Sequence, residues 1–355
     1  MDFAFSAEQQ MLRDSARDFL SSRLPLERVA ELADSDAGWD PASWAQVVSL
    51  GWVGLSVPED AGGAGMSFLD EAVLFEEAGR ALYPGPLFST VALALPLLAA
   101  ENAVDAMDAV VAGSRTATVA RAASADLTVE GDRLSGTVRL VPDLGIVDDA
   151  LVVATTPSGA GVWLVDVAAD RSMVRPTSTT DRTRRYAELV LDGVTGVPLL
   201  APGAADAALE TSRLRGLAAL ACEAVGVAQR CLDISADYAK ERHQFGRPIG
   251  TYQGVSHRIA DIYVALELAR SLAYWAAWCV STADGQATDA CAAAKAAAGE
   301  AAVFAAESAI QSMGGIGFTW DHPLHRFYKR AQWIASYGGF AREHRAALAK
   351  TLLDA

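Results

Sequence analysis

The sequence predicts an α+β protein: a helical N-terminal domain, a small barrel-like or sandwich-like β domain, and a four-helix bundle at the C-terminus. Three observations predict this order. Apolar residues recur with a helical period up to about residue 111, short β-branched runs follow from about residue 113, and the helical period returns near residue 205. We therefore expect domains at residues 1–112, 113–204 and 205–355.

The N-terminal helices are predicted from their caps. Ser6 and Gln9 form a capping box at the start of the first helix. A second helix is expected to end at Gly51, and a glycine-rich loop at residues 54–65 leads into a third helix capped by Ser67.

The two later domains are predicted from changes in the spacing of apolar residues along the chain. Short strands are expected at residues 116–119, 126–129, 133–141, 149–154, 161–165 and 187–191. Long helices are expected at residues 209–242, 253–282, 288–313 and 324–353. Their interleaved apolar faces favour an antiparallel bundle.

Composition excludes several partners. The chain has 355 residues and a formal net charge of −15, which argues against nucleic acid or an anionic membrane surface. No signal peptide or membrane span is visible, and we expect a cytoplasmic protein. The four cysteines are predicted to be reduced core thiols: Cys222, Cys231, Cys279 and Cys291. His322 and His325 flank Pro323 without a carboxylate pattern, so no metal site is expected.

Two segments predict a flavin-nucleotide site. Residues 241–253 contain an arginine suited to a pyrophosphate together with an aromatic and amides suited to an adenosine. Residues 311–317 add glycines that let the backbone approach a ligand. The alternative is that Arg242 pairs with a surface carboxylate and Phe245 fills the core.

These motifs occur in a familiar order. They are residues 50–54, 58–59 and 62–65, then 181–184, then 224–229 and 238–242, then Phe245-Gly246, Gln253 and Gln311-x-x-Gly314-Gly315-x-Gly317. In this combination the chain resembles the acyl-CoA dehydrogenase family over essentially its whole length. The resemblance implies an enzyme that oxidises an acyl-CoA thioester with FAD bound across a dimer interface. The residues implied for FAD are Arg242, Phe245, Gln253, Gln311, Gly314 and Gly315.

The catalytic base of the family is missing. Family members use a glutamate to remove the α-proton, because the weakly acidic α-carbon needs a positioned carboxylate. The two places where the family keeps this glutamate correspond to Gly338 and Gly216 in this chain. Glu223 is a candidate for a relocated base, and its alternative is an ion-paired residue of the bundle.

The β domain departs from the family pattern as well. Residues 117–126 lack the Thr-Glu-Pro and Gly-Ser-Asp loop that usually contacts the flavin ring, and the later strand at residues 139–146 lacks its aromatic. The residues expected to bind the adenosine part of FAD are therefore present, whereas those expected to contact the flavin ring are absent.

These facts favour a subunit that works with a partner. The chain resembles the base-lacking subunit of heteromeric actinobacterial acyl-CoA dehydrogenases of the steroid-degrading type. We expect an α2β2 heterotetramer in which this chain completes the partner's FAD site, with steroid side-chain CoA thioesters as substrates and an electron-transfer flavoprotein as a typical acceptor. The alternatives are a homo-oligomeric dehydrogenase with a relocated base and a catalytically inactive scaffold.

Overall fold

The computed structural model describes residues 5–99, 103–121 and 126–354, with helices at both ends of the chain and strands between them. The α-helices are α1 (Ala7–Arg23), α2 (Leu26–Asp34), α3 (Pro41–Ser49), α4 (Phe68–Ala81), α5 (Leu95–Leu98), α6 (Val104–Val111), α7 (Asp206–Glu241), α8 (Gln253–Ser281), α9 (Ala287–Met313), α10 (Leu324–Ser336) and α11 (Ala341–Leu353). The strands are β1 (Ala117–Arg121), β2 (Leu127–Glu130), β3 (Arg133–Pro142), β4 (Asp149–Thr156), β5 (Gly159–Asp166), β6 (Val174–Thr177), β7 (Tyr186–Thr195), β8 (Val197–Leu200), β9 (His243–Gln244) and β10 (Arg247–Pro248). The predicted fold class is confirmed.

The chain forms two compact units that are not continuous in sequence. One unit contains the N-terminal segment up to Glu31, Phe68–Tyr83 and Leu217–Ala355, and the other contains Leu32–Ser67 and Pro84–Gly216. The predicted domain boundaries stay a prediction, because these units are defined by contacts and not by chain order.

Helix α1 begins at the predicted capping box. The backbone N–H of Gln9 donates to Ser6 Oγ at 3.2 Å, and the backbone N–H of Ser6 donates to Gln9 Oε1 at 3.1 Å. In the same unit α4 and α7 cross closely, since a Cβ on Gly226 would lie 1.8 Å from the carbonyl oxygen of Glu76. Glycine is therefore required at this crossing.

The last predicted helix is wrong as a single element. The run at residues 324–353 is divided into α10 and α11 by Gly338 and Gly339, whose φ angles are +72° and +109°. A right-handed helix cannot continue through such angles, which glycine adopts readily.

The strands of the middle of the chain form two four-stranded sheets. Their orders are β1-β4-β5-β8 and β2-β3-β7-β6, with β1 parallel to β4. Both sheets supply side chains to one apolar cluster that includes Leu134, Val152 and Trp163. Strands β6 and β8 were not predicted from the sequence. Each has four residues, contains a proline and lies at a sheet edge, where proline is tolerated but the alternating pattern is too short to recognise.

All four cysteines are free and buried, as predicted. Within the described ranges no helix combines the length and apolar character needed to cross a membrane.

Candidate functional site

A short hairpin follows α7 and carries the predicted aromatic. Strands β9 and β10 pair through a two-residue turn in which Phe245 has a φ of +52° and Gly246 a φ of +82°. Two positive φ angles match the right-handed twist of a tight hairpin. Positive φ is uncommon for a bulky residue such as phenylalanine. The Phe245 side chain is 92% exposed, so it does not fill the core.

Arg242 lies between α7 and this hairpin. Its backbone N–H donates to the carbonyl of Tyr238 at 2.8 Å, and its own carbonyl accepts from the N–H of Ile249 at 2.8 Å. The backbone is thus held from both sides. The exposed guanidinium forms no hydrogen bond or ion pair with any residue that the structure describes. The alternative interpretation, in which Arg242 pairs with a surface carboxylate, is therefore not favoured.

The glycines after α9 are open to solvent. Gly314 has a φ of +65°, and its N–H donates to the carbonyl of Gln311 where the helix ends. A Cβ added to Gly314 or Gly315 would meet nothing within 4 Å. Gln311 and both glycines are exposed, so this turn offers bare backbone to a ligand or a neighbouring chain.

The structure places all six predicted nucleotide residues at one end of a helical layer. Helices α8 and α9 pack against each other and are joined by a short connection, so they run antiparallel. The start of α8 at Gln253 therefore lies at the same end as Gly314, and the hairpin leads directly into that end. This end is called the nucleotide end below.

The two positions of the missing base belong to different compact units, Gly338 to the one that contains Leu217–Ala355 and Gly216 to the other. A Cβ on Gly338 would lie 3.1 Å from Leu217 Cδ2, and Leu217 directly follows Gly216 in α7. A Cβ on Gly216 would lie 2.7 Å from Leu93 Cδ2. Neither position provides a carboxylate, and at each a Cβ would contact the methyl group of a leucine that would have to shift.

Glu223 forms a buried ion pair. Its Oε1 accepts from Nη1 of Arg330 at 2.5 Å, and the two side chains are 1% and 0% exposed. A carboxylate that is buried and engaged by a guanidinium is poorly placed to receive a substrate proton. The geometry favours the interpretation of Glu223 as an ion-paired bundle residue.

Sequence reasoning missed a buried lysine beside Gly338. Lys295 Nζ donates to the carbonyl of Ala335 at 3.2 Å and to that of Gly339 at 2.9 Å. Burial lowers the pKa of this amine to about 8, and the charge of Glu343 opposes the shift. A single lysine within the alanine-dense stretch of α9 was the available signal, because the neighbouring small residues belong to a buried helix face.

The histidine pair and the β segments that depart from the family pattern were also singled out in the sequence. The ring of His325 stacks on Trp320 with centroids 4.5 Å apart, and the backbone N–H of Leu324 donates to Nδ1 of His322 at 3.3 Å. In the β region, residues 122–125 belong to the segment where the family loop is missing and lie outside the described residues. The later strand segment begins within β3, where Arg139 is exposed and lies 3.7 Å from Glu188.

Family profiles cover most of the chain. The profile described as the N-terminal domain of acyl-CoA dehydrogenase matches residues 6–101, and that of the C-terminal domain matches residues 204–353. The acyl-CoA dehydrogenase IpdE2 of Mycobacterium tuberculosis is 36% identical over 326 residues, covering 91% of each chain.

Two solved structures share the fold over nearly the full length. The "Tcur3481-Tcur3483 steroid ACAD G363A variant" has a TM-score of 0.87 with 33% identity and covers 98% of both chains. The ChsE4-ChsE5 complex from Mycobacterium tuberculosis has a TM-score of 0.90 with 27% identity and covers 100% of both chains.

Proposed function

Because this chain belongs to the acyl-CoA dehydrogenase family, whose members are oxidoreductases acting on acyl-CoA, we propose that it is the subunit without a catalytic base in a two-chain FAD-dependent dehydrogenase. In the α2β2 assembly it completes the flavin site of a related subunit, and that subunit provides the glutamate. The reaction is the α,β-dehydrogenation of an acyl-CoA thioester.

One contrast within the chain carries this proposal. The nucleotide end presents an unpaired guanidinium at Arg242 and open backbone at Gly314 and Gly315. The two base positions, Gly216 and Gly338, are both glycine and provide no carboxylate. A complete enzyme would need both features, so a chain with only the first requires another chain for the chemistry.

The residues of the nucleotide end fit FAD. A guanidinium whose N–H groups are not engaged by other residues suits a pyrophosphate, since it can donate two parallel hydrogen bonds. Gln253 and Gln311 supply exposed amides, and Phe245 supplies an exposed ring for an adenosine. FAD held across the interface would supply the hydride acceptor of the reaction, while this chain binds and orients the nucleotide.

An apolar strip on α8 supports assembly with another chain. Tyr263 and Val264 are each 56% exposed and Leu268 is 65% exposed. Large apolar side chains that share an exposed helix surface are typical of protein interfaces. The names of two similar structures agree with assembly, since one is described as a complex and the other pairs two chain names.

We propose steroid side-chain CoA thioesters as the substrate class, supported by the steroid ACAD that is 33% identical to this chain. An electron-transfer flavoprotein is the expected acceptor of the electrons.

The first test is reconstitution. The chain is purified alone and together with a related chain that carries the glutamate, each with excess FAD, and the visible flavin spectrum and the oligomeric mass are recorded after free cofactor is removed. The proposal expects flavin to be retained only with the partner. One tightly held flavin per chain in a homo-oligomer would refute it.

The second test is Arg242→Ala in the heteromer. We expect the affinity for FAD to fall roughly tenfold or more, because a charged hydrogen-bonding group on the diphosphate is lost. Lys240→Ala is the matched control, since this neighbouring cation is exposed and pairs with Asp237 at 3.0 Å. Undiminished FAD occupancy in Arg242→Ala would contradict the assignment of the nucleotide end.

A further inference from the structure

A cavity of about 400 Å³ lies within the first unit, apart from the nucleotide end. Its walls come from the end of α1, the start of α2, the end of α4 and the middle of α7. Arg230 on α7 lies 12 residues before Arg242, or about 18 Å along the helix axis. The cavity is therefore separate from the surface proposed to hold FAD.

Arg230 contributes a guanidinium to this cavity. It is partly buried, and across residues 5–99, 103–121 and 126–354 its guanidinium has no hydrogen-bond or ion-pair partner. Burial lowers the pKa of Arg230, and the neighbouring charge of Arg80 lowers it further, while Asp233 and Asp237 act in the opposite direction. Partly buried arginines are normally paired, because removing a charge from water is costly.

The other charges of the lining are engaged or lie at the surface. Arg80 pairs with Asp233 at 2.5 Å, and Arg17 pairs with Glu77 at 2.6 Å. Glu77 also accepts from Arg13 at 3.3 Å, so its carboxylate is already shared. The remaining carboxylates, Asp18 and Glu27, are exposed. Among the described residues, Arg230 is thus the cation of the lining without a direct ion-pair partner.

Part of the lining is a leucine wall. Leu20 and Leu24 are buried side chains of the core that also border the cavity, and Leu26 is half-buried at the start of α2. The volume falls within the range of roughly 300–1,000 Å³ that is usual for small-molecule sites. A lining that combines this leucine wall with one guanidinium is complementary to a molecule with an apolar body and a single anionic group.

We propose that this cavity binds an amphiphilic carboxylate, with Arg230 holding the carboxylate and the leucine wall receiving the apolar body. A carboxylate fits better than a phosphate because one guanidinium satisfies its single charge through two parallel hydrogen bonds. The free acids that correspond to the acyl groups handled by this family have this chemistry. The site goes beyond the proposed function, since it needs neither FAD nor a partner.

Calorimetric titration of the full chain with sodium decanoate tests the proposal. Arg230→Met keeps most of the side-chain length and removes the charge, so decanoate affinity should fall roughly tenfold or more. Arg28→Met is the matched control, because Arg28 is exposed on α2, pairs with Glu31 and does not line the cavity. The Arg28→Met variant should bind decanoate with the same affinity as the unmodified chain.

A second variant guards against a folding defect in the first. Leu26→Asp places a negative charge at the half-buried border of the cavity and should also weaken decanoate binding, with circular dichroism checking that both variants fold. Absence of decanoate binding to the unmodified chain, equal binding by Arg230→Met, equally tight binding of decanol, or displacement by inorganic phosphate would each overturn the proposal.

Discussion

Glu223→Gln separates a structural role from a catalytic role for Glu223, the buried acid of α7 that is the candidate for a relocated base. The Glu223 and Arg330 side chains are 1% and 0% exposed, so the substitution removes the negative charge of a buried pair and leaves the guanidinium in the core. Breaking such a pair from one side costs about 3–5 kcal/mol of unfolding free energy. This is a large part of the total stability of a typical protein, about 5–15 kcal/mol.

The assay is urea-induced unfolding followed by tryptophan fluorescence. Glu223→Gln should lower the midpoint strongly, and the double variant Glu223→Gln with Arg330→Met should recover much of the loss, because no buried charge then remains. Glu210→Gln is the control on the same helix: its exposed ion pair with Arg213 should contribute at most about 1 kcal/mol. The structural role is refuted if Glu223→Gln keeps its midpoint and its flavin yet abolishes turnover of the chain alone.

Two further predictions concern the turn after α10. Gly338→Glu should not create dehydrogenase activity in the chain alone. It should lower the unfolding free energy by about 1–2 kcal/mol, since residue 338 has a φ of +72° and its Cβ would lie 3.1 Å from Leu217. Measurable turnover with an unchanged unfolding midpoint would contradict this prediction. Burial lowers the pKa of Lys295 to about 8 in the folded chain, below its value of 10.5 without burial. Between these two pH values the unfolded state binds the proton more tightly than the folded state, so the unfolding free energy rises with pH. Unfolding free energies at about pH 8 and about pH 9.5 should therefore rise by up to about 1.4 kcal/mol per pH unit in the native chain relative to Lys295→Met, and parallel pH profiles would contradict the assignment.

Helical periodicity predicted the long helices well because their apolar faces are continuous. Helices α8 and α9 begin and end close to the expected residues, and the capping box at Ser6 marks the start of α1. The break between α10 and α11 was missed although Gly338 and Gly339 are visible in the sequence. Apolar periodicity continues across them, and only the backbone angles show that the helix stops.

The nucleotide end could be proposed from sequence because its residues lie in two compact segments. The sequence could not indicate whether Arg242 is paired, since an ion pair depends on residues that approach in space. The cavity around Arg230 was invisible for the same reason. Its lining comes from four helices, and no spacing in the sequence connects α2 with the middle of α7.

The distance between the nucleotide end and Gly338 is a second physical argument for a partner chain. Lys295, which holds the turn at Gly339, and Met313, which precedes Gly314, are 18 residues apart on α9, or about 27 Å along its axis. Leu217 beside Gly338 and Arg242 beyond the end of α7 are 25 residues apart, or about 38 Å. These lengths are comparable to the diameter of a small domain. A dinucleotide whose adenosine lies at Arg242 and Gly314 would therefore have that end far from Gly338, and Gly338 provides no carboxylate. The glutamate that removes the substrate's α-proton is then best supplied by a neighbouring subunit.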